Sequence, residues 1–520
     1  MESPVSLNLA TILAESAVRH ADRTALVLGD QRISYAQLWA HARQYARVLA
    51  DRGVRAGDRV ALLLPNTPHF PLAYFGALAL GAVAVPVHAL LKAEEIAFVL
   101  GDSGASLLIC AAPLLPAGAA GAEKAGIPVL AVMDGGPEEL PRIDLLAREV
   151  VPIPAIVPRE ATDPAVILYT SGTTGTPKGA VLTHLNVLMN VDVSVIDSFD
   201  ITPDDVVLGC LPLFHTFGQT CCMNTAFRAG ASIVLMPRFD GAGALGLLER
   251  ERCTVFMGVP TMYFALLEAA REQTQAGRAL PTGLRSAMSG GAALPLSVLE
   301  RFKEVFGVDV MEGYGLTETS PVATFNQKGF PARPGTVGPP IWGVEVEITR
   351  AELDDRIELL PAGELGEVIV RGHNVFAGYL NNPKATEETF TDGWFRTGDL
   401  GIKDADGYLS IVDRKKEMIL RGGFNVYPRE VEEVLLRHPG IAQVAVIGAA
   451  DEKYGEEVCA VVVRDPAGPP VSAEELSEWA KERIAAYKYP RIVYFVEAMP
   501  MGPSGKVLKR ELVSRYRDPR

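Results

Sequence analysis

At 520 residues, with 48% apolar and 22% charged side chains, the chain is too long for one core and has the balance of a globular protein of two or more domains. The formal charge of −14 sits in residues 1–413, which carry −16, while residues 414–520 hold 18 Lys+Arg against 16 Asp+Glu; such an acidic body argues against a nucleic-acid partner. The six cysteines form no C-x-x-C pair, the N-terminus lacks the character of a signal peptide, and the most apolar stretch, 72–87, is broken by Gly76, Gly81 and Pro86, so a reduced cytoplasmic protein without a transmembrane segment is expected.

The first 160 residues alternate helical and strand patterns, with a helix at 35–52 and short apolar strands at 59–64 and 106–110, the pattern of α/β layering. Stretch 72–87 reads as a buried helix leading into a strand, and the Ala/Pro/Gly-rich passage 111–158 as irregular surface loops. Alternation resumes to about residue 340, where Gly338-Pro339-Pro340 introduces shorter strands such as 367–370 and a small β-rich subdomain. The last hundred residues read as a separate α+β unit. Pro428 opens a helix that His438-Pro439-Gly440 stops, and strands follow at 443–448 and 458–463. A capping box of Ser472 with Glu475 then starts a helix whose buried face carries Leu476, Trp479, Ala480 and Ile484, before a strand at 492–496. The charged run from Asp413 to Glu417 marks the boundary, giving domains 1–413 and 414–520.

The densest chemical signal is Tyr169-Thr-Ser-Gly-Thr-Thr-Gly-Thr-Pro-Lys-Gly179, a loop following an apolar strand at 165–169. Gly172, Gly175 and Gly179 let backbone N–H groups converge as an anion nest; Thr170, Ser171, Thr173, Thr174 and Thr176 add hydroxyl donors, and Lys178 adds a positive charge. Phosphate suits such a loop, although on composition alone a flexible Gly/Thr linker reads equally well. A Walker loop is excluded, because Lys178 is followed by Gly179 and not by Ser or Thr.

This segment resembles the signature loop of the adenylate-forming superfamily, which contains acyl-CoA and aryl-CoA synthetases, peptide-synthetase adenylation domains and beetle luciferases. Further blocks similar to that family follow in order: Ser289-Gly-Gly-Ala292, Gly313-Tyr-Gly-Leu-Thr-Glu318, Gly393-Trp-Phe-Arg-Thr-Gly-Asp-Leu400, Asp413-Arg-Lys-Lys416 with Gly422-Gly-Phe-Asn-Val-Tyr-Pro428, and Pro500-Met-Gly-Pro-Ser-Gly-Lys506. The resemblance covers essentially the whole chain. It implies an α/β fold with a large multi-layer N-terminal domain, a small β-rich subdomain and a small mobile α+β C-terminal domain. It also implies a carboxylic acid–CoA ligase that uses ATP, Mg²⁺ and coenzyme A and passes through an acyl-AMP. The implied partners are small molecules; peripheral membrane contact and the choice between monomer and homodimer stay open.

The resemblance assigns nucleotide binding to Thr170, Ser171, Gly172, Thr173, Thr174, Gly175, Lys178, Gly290, Gly291, Ala292, Glu312, Gly313, Tyr314, Thr317, Asp399 and Arg414, and Mg²⁺ to Glu318, a hard oxygen donor. Tyr314 offers a flat ring for adenine, with Gly313 and Gly315 leaving space for ligand, and Asp399 can accept from both ribose hydroxyls. Taken singly, a Tyr in a Gly-rich turn, an Asp after Gly398 and an isolated Glu are ordinary features. Lys506 matches the family's catalytic lysine, a cation that would offset the repulsion between the attacking carboxylate and the α-phosphate. His215 matches an acyl-site position where amino-acid-activating relatives carry Asp, which favours a simple carboxylic acid. Phe214, Phe217, Met288, Gly315, Pro321 and Val322 are the implied acyl pocket. Being apolar or small, they favour an aliphatic acid of medium to long chain over the alternatives, an aryl-CoA ligase of the coumarate or benzoate type and an acyl-AMP ligase that loads a carrier protein. Lys416 matches the hinge, and Gly422 and Gly423 the pantetheine tunnel. Leu420 stands where several relatives carry a lysine active in the second step, for which Arg421 is the nearest substitute.

Overall fold

The computed structural model describes residues 7–170, 177–502 and 506–517. Two large sheets form the body. The first has six strands in the order Val129–Val132, Ala105–Ala111, Arg59–Leu63, Val83–Pro86, Pro164–Thr170, Lys178–Thr183, parallel except for the last, antiparallel pair. The second has eight strands. At its centre Val310–Gly315, Ser286–Ser289, Val255–Gly258, Val206–Gly209, Ser232–Leu235 and Thr24–Leu28 run parallel, and Val322–Phe325 and Gln31–Ser34 close its edges antiparallel. Parallel strands covered on both faces are continuously apolar, which is how Val-Ala-Leu-Leu and Val-Phe-Met read here. One core joins the sheets through Leu62, Val166, Phe75, Phe227 and Phe256. Helix His69–Ala79 is buried along most of its length, and Gly76 lets it cross helix Tyr35–Asp51 closely: a Cβ there would stand 2.8 Å from Ala42 O.

The passage 111–158 is more ordered than its composition suggests. It contains helix Leu115–Ala125, strand Val129–Val132 and the short helix Ile143–Leu146. The reading of this passage as surface loops is corrected by what its small residues do. A Cβ at Gly118 would lie 2.5 Å from Cys110 Sγ, and one at Gly121 2.7 Å from Ile96 Cγ2, so both glycines let the helix lie directly on its neighbours.

After residue 340 an antiparallel sheet links Val344–Thr349, Leu365–Gly372 and Trp394–Lys403, and the last of these also pairs with Phe390–Thr391 and Leu409–Arg414. The smaller C-terminal domain has its own sheet, in the order Phe424–Val426, Ile419–Arg421, Gly455–Arg464, Ile441–Asp451, with Ile492–Phe495 added beside Gly455–Arg464. Its core holds Val431, Leu435, Val446, Val458 and Leu476. The Ser472–Glu475 capping box forms, with Glu475 N–H donating to Ser472 Oγ at 3.2 Å and Ser472 N–H to Glu475 Oε2 at 2.8 Å. The expected apolar face is narrower than predicted: Leu476 and Ala480 are buried, Trp479 is half-buried with its indole N–H on Val434 O, and Ile484 lies beyond the end of helix Ala473–Lys481. All six cysteines are buried and unpaired, and among the described residues no helix is long and apolar enough to cross a membrane.

Candidate active site

The carboxyl ends of parallel strands are where open α/β sheets bind ligands. Strand Ser286–Ser289 ends in Gly290-Gly291-Ala292, and its neighbour Val310–Gly315 ends in the turn Thr317–Thr319. Glu312 is turned inward. Its carboxylate accepts the Leu294 N–H at 3.2 Å and so ties down the segment after Ala292, while burial raises its pKa above the ordinary value. Gly291 has φ +80°, and a Cβ there would lie 3.5 Å from Lys506 Cε, so a lysine 215 positions further along the chain reaches this loop. Beside it, the Phe217 ring comes within 3.4 Å of the Cβ position of Gly290.

Tyr314, Asp399 and Arg414 interlock. Asp399 and Arg414 are register partners on adjacent antiparallel strands, Arg414 Nε lies 3.1 Å from Asp399 Oδ1, and the Tyr314 hydroxyl donates to Asp399 Oδ2 at 2.6 Å. Burial raises the Asp399 pKa, opposed by the charge of Arg414 and the phenol hydrogen bond. Both carboxylate oxygens thus already have partners. A ribose would use the remaining acceptor directions, since a carboxylate offers about four. Glu318 is buried, and the Tyr379 hydroxyl donates to its Oε1 at 2.8 Å; Lys178 Nζ stands 5.1 Å from the centre of the Tyr379 ring. Tyr379 was not legible as a site residue, because nothing near Gly378-Tyr379 in the chain points to residue 318. Thr170 and Lys178 face one another across the antiparallel pair that flanks the Gly/Thr segment. Ser171, Gly172, Thr173, Thr174, Gly175 and Thr176 lie outside the described residues.

His215 is neutral. Burial, with the nearby charge of Lys506 and the His88 ring, pushes its pKa down to about 3, and its Nδ1 accepts the Phe217 N–H at 3.2 Å, which leaves the ring proton on Nε2. His88, also missed in the sequence, packs its ring 4.2 Å from that of Phe214, accepts the Leu90 N–H on Nδ1 at 2.9 Å, and is pushed by burial to about 4. Burial and Arg414 lower the pKa of Lys506, while Asp399, Glu318 and Glu417 pull it back up. Met288 and Val322 are buried in their strands.

The surroundings of three motif positions bear on how they are read. The space beside Gly313 and Gly315 belongs to the protein itself: Cβ atoms there would lie 2.5 Å from Phe325 Cδ2 and 1.8 Å from Pro321 O. Gly422 and Gly423, with φ +57° and +84°, make the two-residue turn between strands Ile419–Arg421 and Phe424–Val426, a left-handed conformation that favours glycine, and nothing lies within 4 Å of the Cβ position of Gly423. Arg421 is committed elsewhere. Its guanidinium makes a bidentate pair with Glu457, at 2.5 Å and 2.8 Å, and covers the Tyr454 ring, so it does not stand in for a lysine at Leu420. Leu420 itself is exposed, and Lys416 lies in the turn at 415–417 that joins the two sheets.

The AMP-binding enzyme family matches residues 13–380, and its C-terminal domain residues 430–506. The chain is 35% identical to a long-chain-fatty-acid–CoA ligase of Bacillus subtilis, over 97% of this chain and 94% of that one. It is 37% identical to a feruloyl-CoA synthase of an Amycolatopsis species, over 95% and 96%. The crystal structure of ATP-bound MatB from Rhodopseudomonas palustris superposes with a TM-score of 0.89 at 34% identity, covering 99% of both chains. With two matching domains and relatives spanning nearly its whole length, the chain belongs to the AMP-binding enzyme family and is an AMP-forming acid–thiol ligase.

Proposed function

We propose that this enzyme joins a medium- to long-chain aliphatic acid to coenzyme A by way of an acyl-AMP, with ATP and Mg²⁺. The observation that carries the reading is Lys506, a C-terminal lysine lying against the Gly291 loop and within the electrostatic reach of Asp399 and Glu318. In the first half-reaction the acid's carboxylate attacks the α-phosphorus and pyrophosphate leaves. Lys506 would neutralise charge gathering on the attacking and α-phosphate oxygens. Asp399 and Arg414 would hold the ribose, Tyr314 the adenine, and Thr317, Lys178 and the 170–175 segment the phosphates. Glu318 fits Mg²⁺: it is a buried hard donor with one oxygen fixed by Tyr379 and the other left to a cation. Among the described residues no cluster of three or more metal-binding side chains adds to it, so phosphate oxygens and water would supply the other ligands. When bound, the ion would neutralise negative charge on the phosphates.

His215 would receive the acid. As a neutral imidazole it offers an Nε2–H to a carboxylate without bringing a full charge. Segments 211–224, 286–292 and 313–322 contain no Lys or Arg, so a second buried carboxylate would lack a paired cation. That absence, with Phe214, Phe217, Met288 and Val322, supports an aliphatic tail. The feruloyl-CoA synthase relative favours the second reading, an aromatic acid.

In the second half-reaction the CoA thiol attacks the acyl carbonyl and AMP leaves. We assign the boundary to 413/414, with the C-terminal domain swinging about Lys416 between the half-reactions. Strand Leu409–Arg414 belongs to the β-rich sheet and strand Ile419–Arg421 to the C-terminal sheet, which supports a joint in the turn between them. Measuring pyrophosphate release from acid and ATP, then acyl-CoA by mass spectrometry after adding CoA, tests the reading. Pyrophosphate without acyl-CoA, with transfer to a carrier-protein pantetheine instead, would overturn the choice of acceptor.

A further inference from the structure

Glu318 is held by a segment from much further along the chain. Residues 376–380 run beside strand Lys178–Thr183: the Ala377 N–H donates to Val181 O at 3.0 Å, the Val181 N–H to Gly378 O at 3.0 Å and the Leu380 N–H to Gly179 O at 2.8 Å. Tyr379 stands between the last two, opposite Ala180, and its own N–H donates to Thr386 Oγ1 at 2.9 Å. The same segment reaches the turn Thr317–Thr319, where the Phe376 N–H donates to Glu318 O at 2.9 Å. The Tyr379 side chain makes that link a second time. Its hydroxyl donates to Glu318 Oε1 at 2.8 Å, its ring meets the buried Phe376 ring edge-on at 4.9 Å, and Lys178 Nζ lies 5.1 Å from its centre. One residue thus touches both the buried carboxylate and the lysine at the end of the Gly/Thr segment.

We propose that Tyr379 is a positioning residue for the metal–nucleotide complex, its hydroxyl orienting the Glu318 carboxylate for Mg²⁺ and its ring carrying Lys178 beside the phosphates. A carboxylate free to rotate loses entropy when it takes up a cation; one whose first oxygen is already bonded offers the second in a set direction. The phenol is suited to this because it is a neutral donor. A lysine or arginine in its place would fix the oxygen equally well but would cancel the charge that attracts the ion. The phenol is also firmly placed, since swinging it away would break the backbone bonds of residues 376–380 to Gly179 and Val181. Lys178 gains in the same way: a cation near an aromatic ring is attracted to it, and the long side chain loses part of its freedom before a phosphate arrives. Tyr379 therefore sets the distance between the two opposite charges that a metal-bound nucleotide must meet together.

The proposal rests on Glu318 as the Mg²⁺ ligand, and the test keeps the two apart. ATP binding is measured by calorimetry without acid, once free of metal and once with saturating Mn²⁺, so that the ratio of the two affinities reads the metal's share. Tyr379→Phe, which keeps the ring, should cut that ratio roughly 10-fold while leaving metal-free affinity within about twofold. Tyr379→Leu, which removes the ring as well, should also weaken metal-free binding by about threefold or more. In turnover, Tyr379→Phe should need roughly 10-fold more Mg²⁺ for half-maximal pyrophosphate release, with kcat at saturating Mg²⁺ within about threefold of the parent. A merely structural defect would not be rescued by the ion. An unchanged ratio in Tyr379→Phe would overturn the proposal, as would a loss of metal-free binding with a fall in Tm and no rescue; unchanged metal-free binding in Tyr379→Leu would overturn the role of the ring. In parallel, Glu318→Gln must lose the metal's share. If it does and Tyr379→Phe does not, only the positioning role fails; if it does not, the Glu318 reading itself fails.

Discussion

Two hairpins carry paired glycines that a motif reading gives to ligands. In the first, at the edge of the eight-stranded sheet, Gly313 and Gly315 on strand Val310–Gly315 meet strand Val322–Phe325 so closely that Phe325 and Pro321 O fill the space their missing side chains leave. In the second, in the C-terminal domain, Gly422 and Gly423 are glycine because both have positive φ, yet beside Gly423 nothing lies within 4 Å. The first hairpin is fixed by packing and presents Tyr314 as a rigid platform. The second is fixed by backbone conformation and borders open space. A motif glycine thus reports a constraint on the chain before it reports a ligand, and only the surroundings say which.

The largest effect should come from Lys506, which reaches the Gly291 loop beside the first hairpin's sheet. Lys506→Ala should lower the rate of acyl-AMP formation about 100- to 1,000-fold, the cost of removing one preorganised charge-stabilising group, and spare thioester formation from acyl-AMP. Stopped-flow pyrophosphate release against acyl-CoA formation reads the split. The pH profile carries a sign. Because burial and Arg414 lower the Lys506 pKa, the ammonium is lost at lower pH than in an ordinary lysine, so adenylation measured as kcat/KM for ATP should fall as pH rises towards 10.5. A profile that stays flat to that pH would show that Lys506 keeps its proton or does not act.

Next in size is the contrast between the hairpins themselves. Gly315→Ala drives a methyl into Pro321 O and should cost about 3 kcal/mol or more of stability, at the upper end of overpacking, because the obstacle is backbone. Gly423→Ala meets no atom and should cost only about 1 kcal/mol, from its left-handed φ. Denaturant unfolding of the two variants checks this. Similar losses would mean the first hairpin can relax and the comparison is false.

Asp399→Ala follows. It removes the shared acceptor of Tyr314 and Arg414, charged hydrogen bonds worth about 1.5–3 kcal/mol each, and should raise KM for ATP about 10- to 100-fold with any acid. Isothermal titration with a non-hydrolysable ATP analogue separates this from a loss confined to acid affinity, which would place Asp399 outside the ribose site.

Much of this arrangement is local and so was readable in the chain. The Ser472–Glu475 box, the Pro428 helix start and the apolar parallel strands are decided within a few residues. Helix Leu115–Ala125 was not readable, since Gly118 and Gly121 look like loop formers until Cys110 and Ile96 are seen against them. The order of the site residues along the chain was legible through their motifs, but their partners were not. Tyr379 reaches Glu318 across 61 positions, Glu457 claims Arg421 across 36, and no short-range pattern encodes either. The acyl side was legible only as a composition of apolar residues, because chain length depends on how far a pocket extends.

That composition carries the smallest effect per step. If the acid's tail is buried against Phe214, Phe217 and Val322, each methylene taken from water contributes about 0.8 kcal/mol, so kcat/KM should climb about fourfold per carbon until the pocket ends. The platform hairpin sharpens the expectation. Since Phe325 and Pro321 occupy the space beside Gly313 and Gly315, those glycines do not open a slot for a flat ring on that side, which weakens the aromatic reading and leaves a flexible chain the better fit. Acetate, hexanoate, dodecanoate, palmitate, benzoate and coumarate compared under identical conditions should therefore give a rising series with the aromatic acids below it. A preference for acetate would mean the apolar wall does not contact the tail, and a preference for either aromatic acid would mean the ring enters on a face away from these glycines.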